Sequence, residues 1–200
     1  MSQAQTLPRI LLASGSPRRK ELLSNAGVSF EVVVSGCDET PVEGESAQSM
    51  VERLATLKAQ AVLDKYPSAV VLGADTTVVI DGECLGKPEN DADACRMLDR
   101  IQGREHEVWG GFAILGSASS LPIVRSITTK VRMRPMTPHE IAWYVSTGEP
   151  MDKAGSYAIQ GIGLQFVDVI DGSYSNVVGL DIAQVMVELR RLSFDAQLSS

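Results

Sequence analysis

Residues 69–80 read AVVLGADTTVVI, an apolar, β-branched run broken by one carboxylate, Asp75. The pair Asp81-Gly82 closes the run, and residues 83–85 follow as a return. Such a pattern specifies a strand and a hairpin turn. The run is well short of the ~18–20 apolar residues that span a bilayer, and no other run in the chain approaches that length. Asp75, set in so apolar a strand, is poorly solvated unless it meets a cation, a metal or hydrogen-bond donors. Carboxylates so placed are often catalytic, with a purely structural pairing as the alternative.

The flanking sequence alternates strand-like and helix-like segments. Residues 9–13 and Phe30 to Ser35 read as short strands, separated by a helix from Pro17 to about Ala26. A long amphipathic helix is expected over 46–65, with Met50, Val51, Leu54, Leu57, Ala61 and Val62 as its apolar stripe. A second helix is expected from Asp91 to Ile101. Paired strands then run from Glu107 to Leu115 and from Ile123 to Met133, around the loop Gly116-Pro122. Thr137, Pro138 and Glu140 open a further helix that Gly148 ends. Residues 155–170 read as glycine-punctuated strand and loop, Asp171-Gly172 as a turn, and about Leu180 to Leu192 as a last helix. The class is therefore α/β with a mixed sheet. Residues 9–192 are expected to form one domain between loose ends at 1–8 and 193–200, with no repeat or linker.

The net charge of −7 weighs against nucleic-acid and anionic-membrane partners unless the cations are gathered in one place. The polar start, Met1 to Pro8, reads as lacking a secretory signal. Cys37, Cys84 and Cys95 form no disulfide framework and no CxxC pair, which suits a reducing, cytoplasmic setting.

Several segments carry candidate chemistry. In Ser14-Gly15-Ser16-Pro17-Arg18-Arg19-Lys20, Ser16 is a good N-cap and Pro17 a good first helical residue. Cations in that first turn oppose the helix dipole, at about 0.3–1 kcal/mol each. An anion held by the free N–H groups, the serine hydroxyls and the guanidinium groups reverses that cost. A solvated basic turn is the other reading. Lys58 leaves from within the apolar stripe of 46–65, so it either snorkels along the core edge or reaches an anion-binding site. Lys87, in Leu85-Gly86-Lys87-Pro88, sits on a rigid turn, and the spacing of 82–87 is too short for a phosphate loop. Asp38 and Glu39 follow a strand end, where a loop carboxylate can hold a metal beside phosphates or simply face water. The segment from Glu149 to Gly161 is dense in polar side chains and can bring Lys153 to a phosphate and Gln160 to a base edge, or serve as a structural loop. His106 and His139 stand in no metal-ligand spacing and take no role.

Together these segments resemble the Maf family of nucleoside triphosphate pyrophosphatases, over roughly Ile10 to Leu192. The resemblance rests on Ala13 to Arg19, Asp38-Glu39, Gly73-Ala74-Asp75-Thr76, Gly86-Lys87-Pro88, Asp152-Lys153-Ala154-Gly155 and Gly172 to Gly179, in family order. It implies a twisted mixed β-sheet with flanking helices, folded as two lobes around a deep cleft, and commonly a homodimer. It also implies hydrolysis of the α–β phosphoanhydride to a nucleoside monophosphate and pyrophosphate. Arg18 with Arg19, Thr76 after Asp75, and Ile159-Gln160-Gly161 are similar to the branch that acts on dTTP and UTP. Two positions depart from the family pattern. Gly110 stands where a threonine is usual and puts the fit of the substrate in question, and Asp181 stands where proline usually opens the last helix and can cap it instead.

The implied roles follow. Asp75, Glu39 and Lys87 are the catalytic candidates, with Asp75 as general base and with Glu39 and Asp75 holding Mg²⁺ or Mn²⁺. Ser14, Arg18, Arg19, Lys58, Thr76, Asp152, Lys153 and Gln160 are the substrate-binding candidates, with Arg18, Thr76 and Gln160 setting base preference. The competing readings are a purine-directed (ITP-type) pyrophosphatase and a nucleotide-binding regulator of cell division without turnover.

Overall fold

The computed structural model describes residues 10–116 and 122–198, without the side chains of 193–198. The expected loose start at 1–8 and the tip of the loop after Gly116 lie outside the described residues. The strands are β1 (Ile10–Leu12), β2 (Phe30–Val32), β3 (Val70–Ile80), β4 (Glu83–Leu85), β5 (Glu105–Gly116), β6 (Ile123–Met133) and β7 (Val167–Asp171). The helices are α1 (Pro17–Asn25), α2 (Ala47–Leu63), α3 (Asp91–Ile101), α4 (Pro138–Ser146), α5 (Tyr174–Val178) and α6 (Ile182–Leu198). The strands form one sheet in the order β2-β1-β3-β5-β6-β7, with β4 on β3. Pairs β1–β2 and β1–β3 are parallel, while β3–β4 and β6–β7 are antiparallel, so the expected mixed α/β sheet is present. No helix among the described residues is long and apolar enough to cross a membrane.

The chain divides into two compact units. Unit 1 comprises residues 1–75, 111–126 and 179–200, and unit 2 comprises 76–110 and 127–178. In unit 1, Leu11, Ala13, Ala55, Ala59, Val62, Val71, Ala113 and Leu115 form a core of small and branched side chains. The small residues allow close approach. A Cβ on Gly73 of β3 would stand 2.1 Å from the Ala55 carbonyl oxygen, and one on Gly111 of β5 would stand 2.6 Å from that of Val51. Two glycines in the sheet thus let the α2 backbone lie directly on it. In unit 2, larger side chains fill the core, among them Met97, Leu98, Ile101, Met133, Tyr144, Tyr157 and Phe166.

Local signals act where they stand in the sequence. Asp81 and Gly82 take φ of 53° and 79°, the positive values that a two-residue hairpin turn requires. The Thr137 hydroxyl accepts from the Glu140 N–H while the Glu140 carboxylate accepts from the Thr137 N–H, a complete capping box. The Asp181 carboxylate accepts from the Gln184 N–H at 3.0 Å, so it caps α6 in place of the usual proline.

Four expectations need correction. Strand β2 ends at Val32 rather than Ser35: its ladder to β1 pairs Phe30, Glu31 and Val32, and a last bond from the Val33 N–H to the Leu12 carbonyl at 3.0 Å closes it. Residues 155–166 hold 3-10 turns, Ala154–Ser156 and Gly161–Phe166, where the glycine pattern suggests strand and loop. The short helix α5 follows Gly172 unannounced, and α6 continues to Leu198, past Leu192, through a segment with no glycine or proline to stop it. Finally, the buried stripe of α2 is Val51, Leu54, Ala55, Lys58, Ala59 and Val62, while Leu57 faces outward at 40% exposure. The helix turns its alanines, not its bulkier Leu57, toward Gly73, because only alanine fits so close a contact.

Candidate active site

In unit 1, the contact at Gly73 fixes where Lys58 goes. With Ala55 and Ala59 against Gly73, the intervening face of α2 carries Lys58 toward Asp75, two residues further along β3. The Lys58 Nζ donates to Asp75 Oδ1 at 2.7 Å and lies 2.7 Å from Glu39 Oε2. The Lys58 and Asp75 side chains are 9% and 12% exposed, so the ammonium does not snorkel to water. Glu39 is 52% exposed and reaches the cluster from the outside. Asp38 does not join it. Its Oδ1 accepts from the Thr40 hydroxyl and the Thr40 N–H, which together hold its pKa below the usual carboxylate value.

The start of α1 belongs to the same unit. Ser14 is buried, and its Oγ accepts from the Ser16 N–H and from Arg19 Nη1, both at 3.2 Å. Arg19 Nε donates to the Gly179 carbonyl at 2.8 Å, which folds the guanidinium back toward the helix start. Loss of solvation pushes the Arg19 pKa down. Asp75 opposes that shift, Arg18 adds to it and Glu39 opposes it, so all three charges act on this guanidinium. Unit 1 therefore gathers Ser14, Arg18, Arg19, Glu39, Lys58 and Asp75 into one electrostatic neighbourhood.

Unit 2 holds the remaining candidates. Thr76 follows Asp75 on β3 and is half-buried. The turn that carries the exposed Lys87 is tied to the turn after Lys153, since the Gly155 N–H donates to the Gly86 carbonyl at 3.0 Å. Gly155 takes a φ of 69°, and a Cβ there would press on the Val78 side chain at 2.9 Å, so glycine is required at that contact. The Lys153 ammonium donates to the Glu149 carbonyl at 2.6 Å and to Asp152 Oδ1 at 2.5 Å, which places Asp152 as a partner of Lys153. Gln160 is half-buried.

Several residues of the site carry no strong signal in the sequence. Glu149 and Tyr144 organise the backbone around Gln160, although only the position of Glu149, just after a helix-ending glycine, marks it as a loop carboxylate. Asn176 is fully buried, and its Nδ2 donates to the Val108 carbonyl at 3.0 Å and to Thr129 Oγ1 at 3.1 Å. This explains the unusual Gly110, since a Cβ there would stand 1.9 Å from Asn176 Oδ1. The departure at 110 makes room for a buried asparagine.

Comparison with known proteins shows which family the chain belongs to. The model of the Maf-like protein family matches residues 9–192. A protein of Symbiobacterium thermophilum named dTTP/UTP pyrophosphatase is 47% identical over 188 residues, 94% of this chain and 96% of that protein. A Geobacter metallireducens protein of the same name is 48% identical over 184 residues, 92% of this chain and 96% of that protein. One from Myxococcus xanthus, also so named, is 46% identical over 191 residues, 96% of this chain and 95% of that protein. A family match that omits only the two ends of the chain, on motifs standing in family order, makes this chain a member of the Maf-like protein family.

Proposed function

We propose that this chain is a nucleoside triphosphate pyrophosphatase that hydrolyses dTTP and UTP at the α–β bond, releasing the nucleoside monophosphate and pyrophosphate. The observation that carries the reading is the Lys58 ammonium held at 2.7 Å from both Asp75 and Glu39, in a neighbourhood where Asp75, Glu39 and Arg18 all act on Arg19. A protein of net charge −7 that concentrates cations beside a poorly solvated carboxylate is equipped to take a polyanion and transfer a proton next to it.

In this reading Ser14, Arg18, Arg19 and Lys58 take the phosphates, and Lys87 and Lys153 are further phosphate-binding candidates. Lys58 holds Asp75 by one carboxylate oxygen, which leaves the other to accept the proton of the attacking water. Water oxygen then bonds to phosphorus, the phosphoanhydride bond breaks, and the bridging oxygen leaves with the pyrophosphate. Lys87 stands by to balance charge on that leaving group. The donor set suits a hard divalent cation: Asp75 and Glu39 supply two carboxylates, and Mg²⁺ usually takes one or two carboxylates with water and phosphate oxygens. When bound, Mg²⁺ or Mn²⁺ would neutralise charge on the phosphates. Arg18, Thr76 and Gln160 set the base preference, with the Gln160 amide offering one donor and one acceptor to a pyrimidine edge.

A homodimeric, cytoplasmic protein that binds neither nucleic acid nor membrane completes the reading, and its acidity supports the last two points. The deciding experiment is pyrophosphate release over a panel of ribo- and deoxyribonucleoside triphosphates, with and without Mg²⁺ or Mn²⁺. The highest kcat/KM is expected for dTTP and UTP, with loss of activity in a chelator. A preference for ITP or GTP would mean a purine-directed enzyme. Nucleotide binding without turnover would mean a regulator and would end the enzymatic reading.

A further inference from the structure

We infer that Glu149 is a positioning residue for nucleobase selection, holding the loop that presents Gln160; the inference rests on Gln160 being the base-reading residue. Glu149 follows Gly148, whose φ of 75° ends the α4 segment, and its carboxylate turns back into unit 2. Oε2 accepts from the Ile162 N–H at 2.8 Å, and Oε1 accepts from the Gly163 N–H and the Tyr144 hydroxyl, both at 2.9 Å. The Tyr144 hydroxyl in turn accepts from the Ala158 N–H at 3.0 Å. The backbone is therefore gripped two residues before Gln160 and again two and three residues after it, by one carboxylate and the phenol it holds.

The fit is specific to a carboxylate. Three donors converge on two acceptor oxygens, and an ionised carboxylate offers only acceptors. Gly161, at φ 77°, leaves the space: a Cβ there would stand 2.7 Å from Glu149 Oε2. Tyr144 is fully buried, and burial pushes its pKa up, so its hydroxyl stays a donor to Glu149 at any working pH. The same residue reaches the other candidate group of the unit, because the Glu149 carbonyl accepts from the Lys153 ammonium at 2.6 Å. One residue thus ties the lysine assigned to phosphate to the loop assigned to the base.

The test is the ratio of kcat/KM for UTP to that for GTP, which does not depend on the fraction of enzyme that is correctly folded. Glu149→Gln keeps the shape but puts an NH₂ against an N–H donor. It is expected to reduce the ratio about tenfold, the scale of a buried hydrogen bond left unmade. Tyr144→Phe removes one link of the same grip, should lower the ratio by a smaller factor, and stands in if Glu149→Gln does not fold. Gln160→Ala is measured alongside. If Gln160→Ala lowers the ratio and neither Glu149→Gln nor Tyr144→Phe does, the positioning role is wrong and the base-reading role survives. If Gln160→Ala leaves the ratio unchanged, both fall. Equal losses on UTP and GTP in Glu149→Gln would make Glu149 a residue of phosphate handling or folding alone and would also overturn the proposal.

Discussion

In unit 1 the buried ammonium of Lys58 lies 2.7 Å from the carboxylates of Asp75 and Glu39, charge against charge. In unit 2 the buried imidazole of His106 lies 2.8 Å from the Tyr157 hydroxyl and meets its ring edge-on, neutral group against neutral group. Burial holds the His106 pKa down to about 4 and pushes that of Tyr157 up, so neither group carries charge near neutral pH. Asn176, also buried in unit 2, likewise satisfies its amide donors on carbonyl and hydroxyl oxygens. A buried ion cluster is costly to assemble, and cores often do better without one. Unit 1 accepts that cost at Lys58, Asp75 and Glu39, the residues of the proposed site, whereas His106, Tyr157 and Asn176 of unit 2 are buried as uncharged polar groups. Glu149 is intermediate: a carboxylate, but one occupied by backbone N–H groups and a phenol rather than by a cation.

The largest effect should come from taking one charge out of the ionic cluster. Asp75→Asn keeps the volume and removes the base, so kcat on dTTP is expected to fall by about 10²- to 10⁴-fold with the fold retained. Circular dichroism and steady-state kinetics on the same preparation check it. Near-parental turnover would place the base elsewhere and would reduce the cluster of unit 1 to a structural pairing.

The neutral cluster is probed by pH. The folded pKa of His106, about 4, lies below the ~6.5 of an unperturbed histidine. Its contribution to stability is therefore complete above the unfolded value and is lost as the pH falls from there through the folded value. The difference amounts to roughly 3 kcal/mol at most. Urea midpoints measured from pH 7 to pH 4 should fall more steeply for the parent chain than for His106→Asn, which does not titrate. Parallel profiles would show that His106 is not held neutral, and the contrast between the units would lose its basis in unit 2.

The smallest effect expected is that of Lys58→Ala. Alanine suits the helix, so any loss must come from leaving Asp75 without its partner. With Glu39 half-exposed, about 1–3 kcal/mol of stability is expected, less than the 3–5 kcal/mol of a fully buried pair. Triphosphate kcat/KM should fall with it. If urea unfolding and kinetics were both unchanged, the ammonium would contribute neither structure nor chemistry.

Much of the fold is legible in the sequence. The strand over 69–80, the turn at Asp81-Gly82, the cap at Thr137 and the boundaries of α3 and β6 all follow from residues that are neighbours in the chain. The identity of the candidate residues is legible too, because motif order survives as local sequence. Other features are not. Nothing within α2 shows that Leu57 faces outward while Ala55 and Ala59 face in, since the choice is made by Gly73 on another element. In the sequence Gly110 reads as a departure affecting substrate fit, and only the position of Asn176 reveals the space it provides.

The sequence by itself determined the order of the main strands and helices, though not the 3-10 turns or α5, together with the turn at Asp81-Gly82, the cap at Thr137, the acidic balance and the family to which the chain belongs. Each of these depends on dihedral preferences, periodicity and residue identity, which act over a few positions. Tertiary structure alone decided that Lys58 meets Asp75 and Glu39, that Asp38 is taken up by Thr40, and that Glu149 grips the backbone on the far side of Gln160. Those outcomes depend on which backbones can approach within contact distance. A missing Cβ at Gly73 or Gly161 permits that approach, but the residue that fills the space comes from a distant part of the chain.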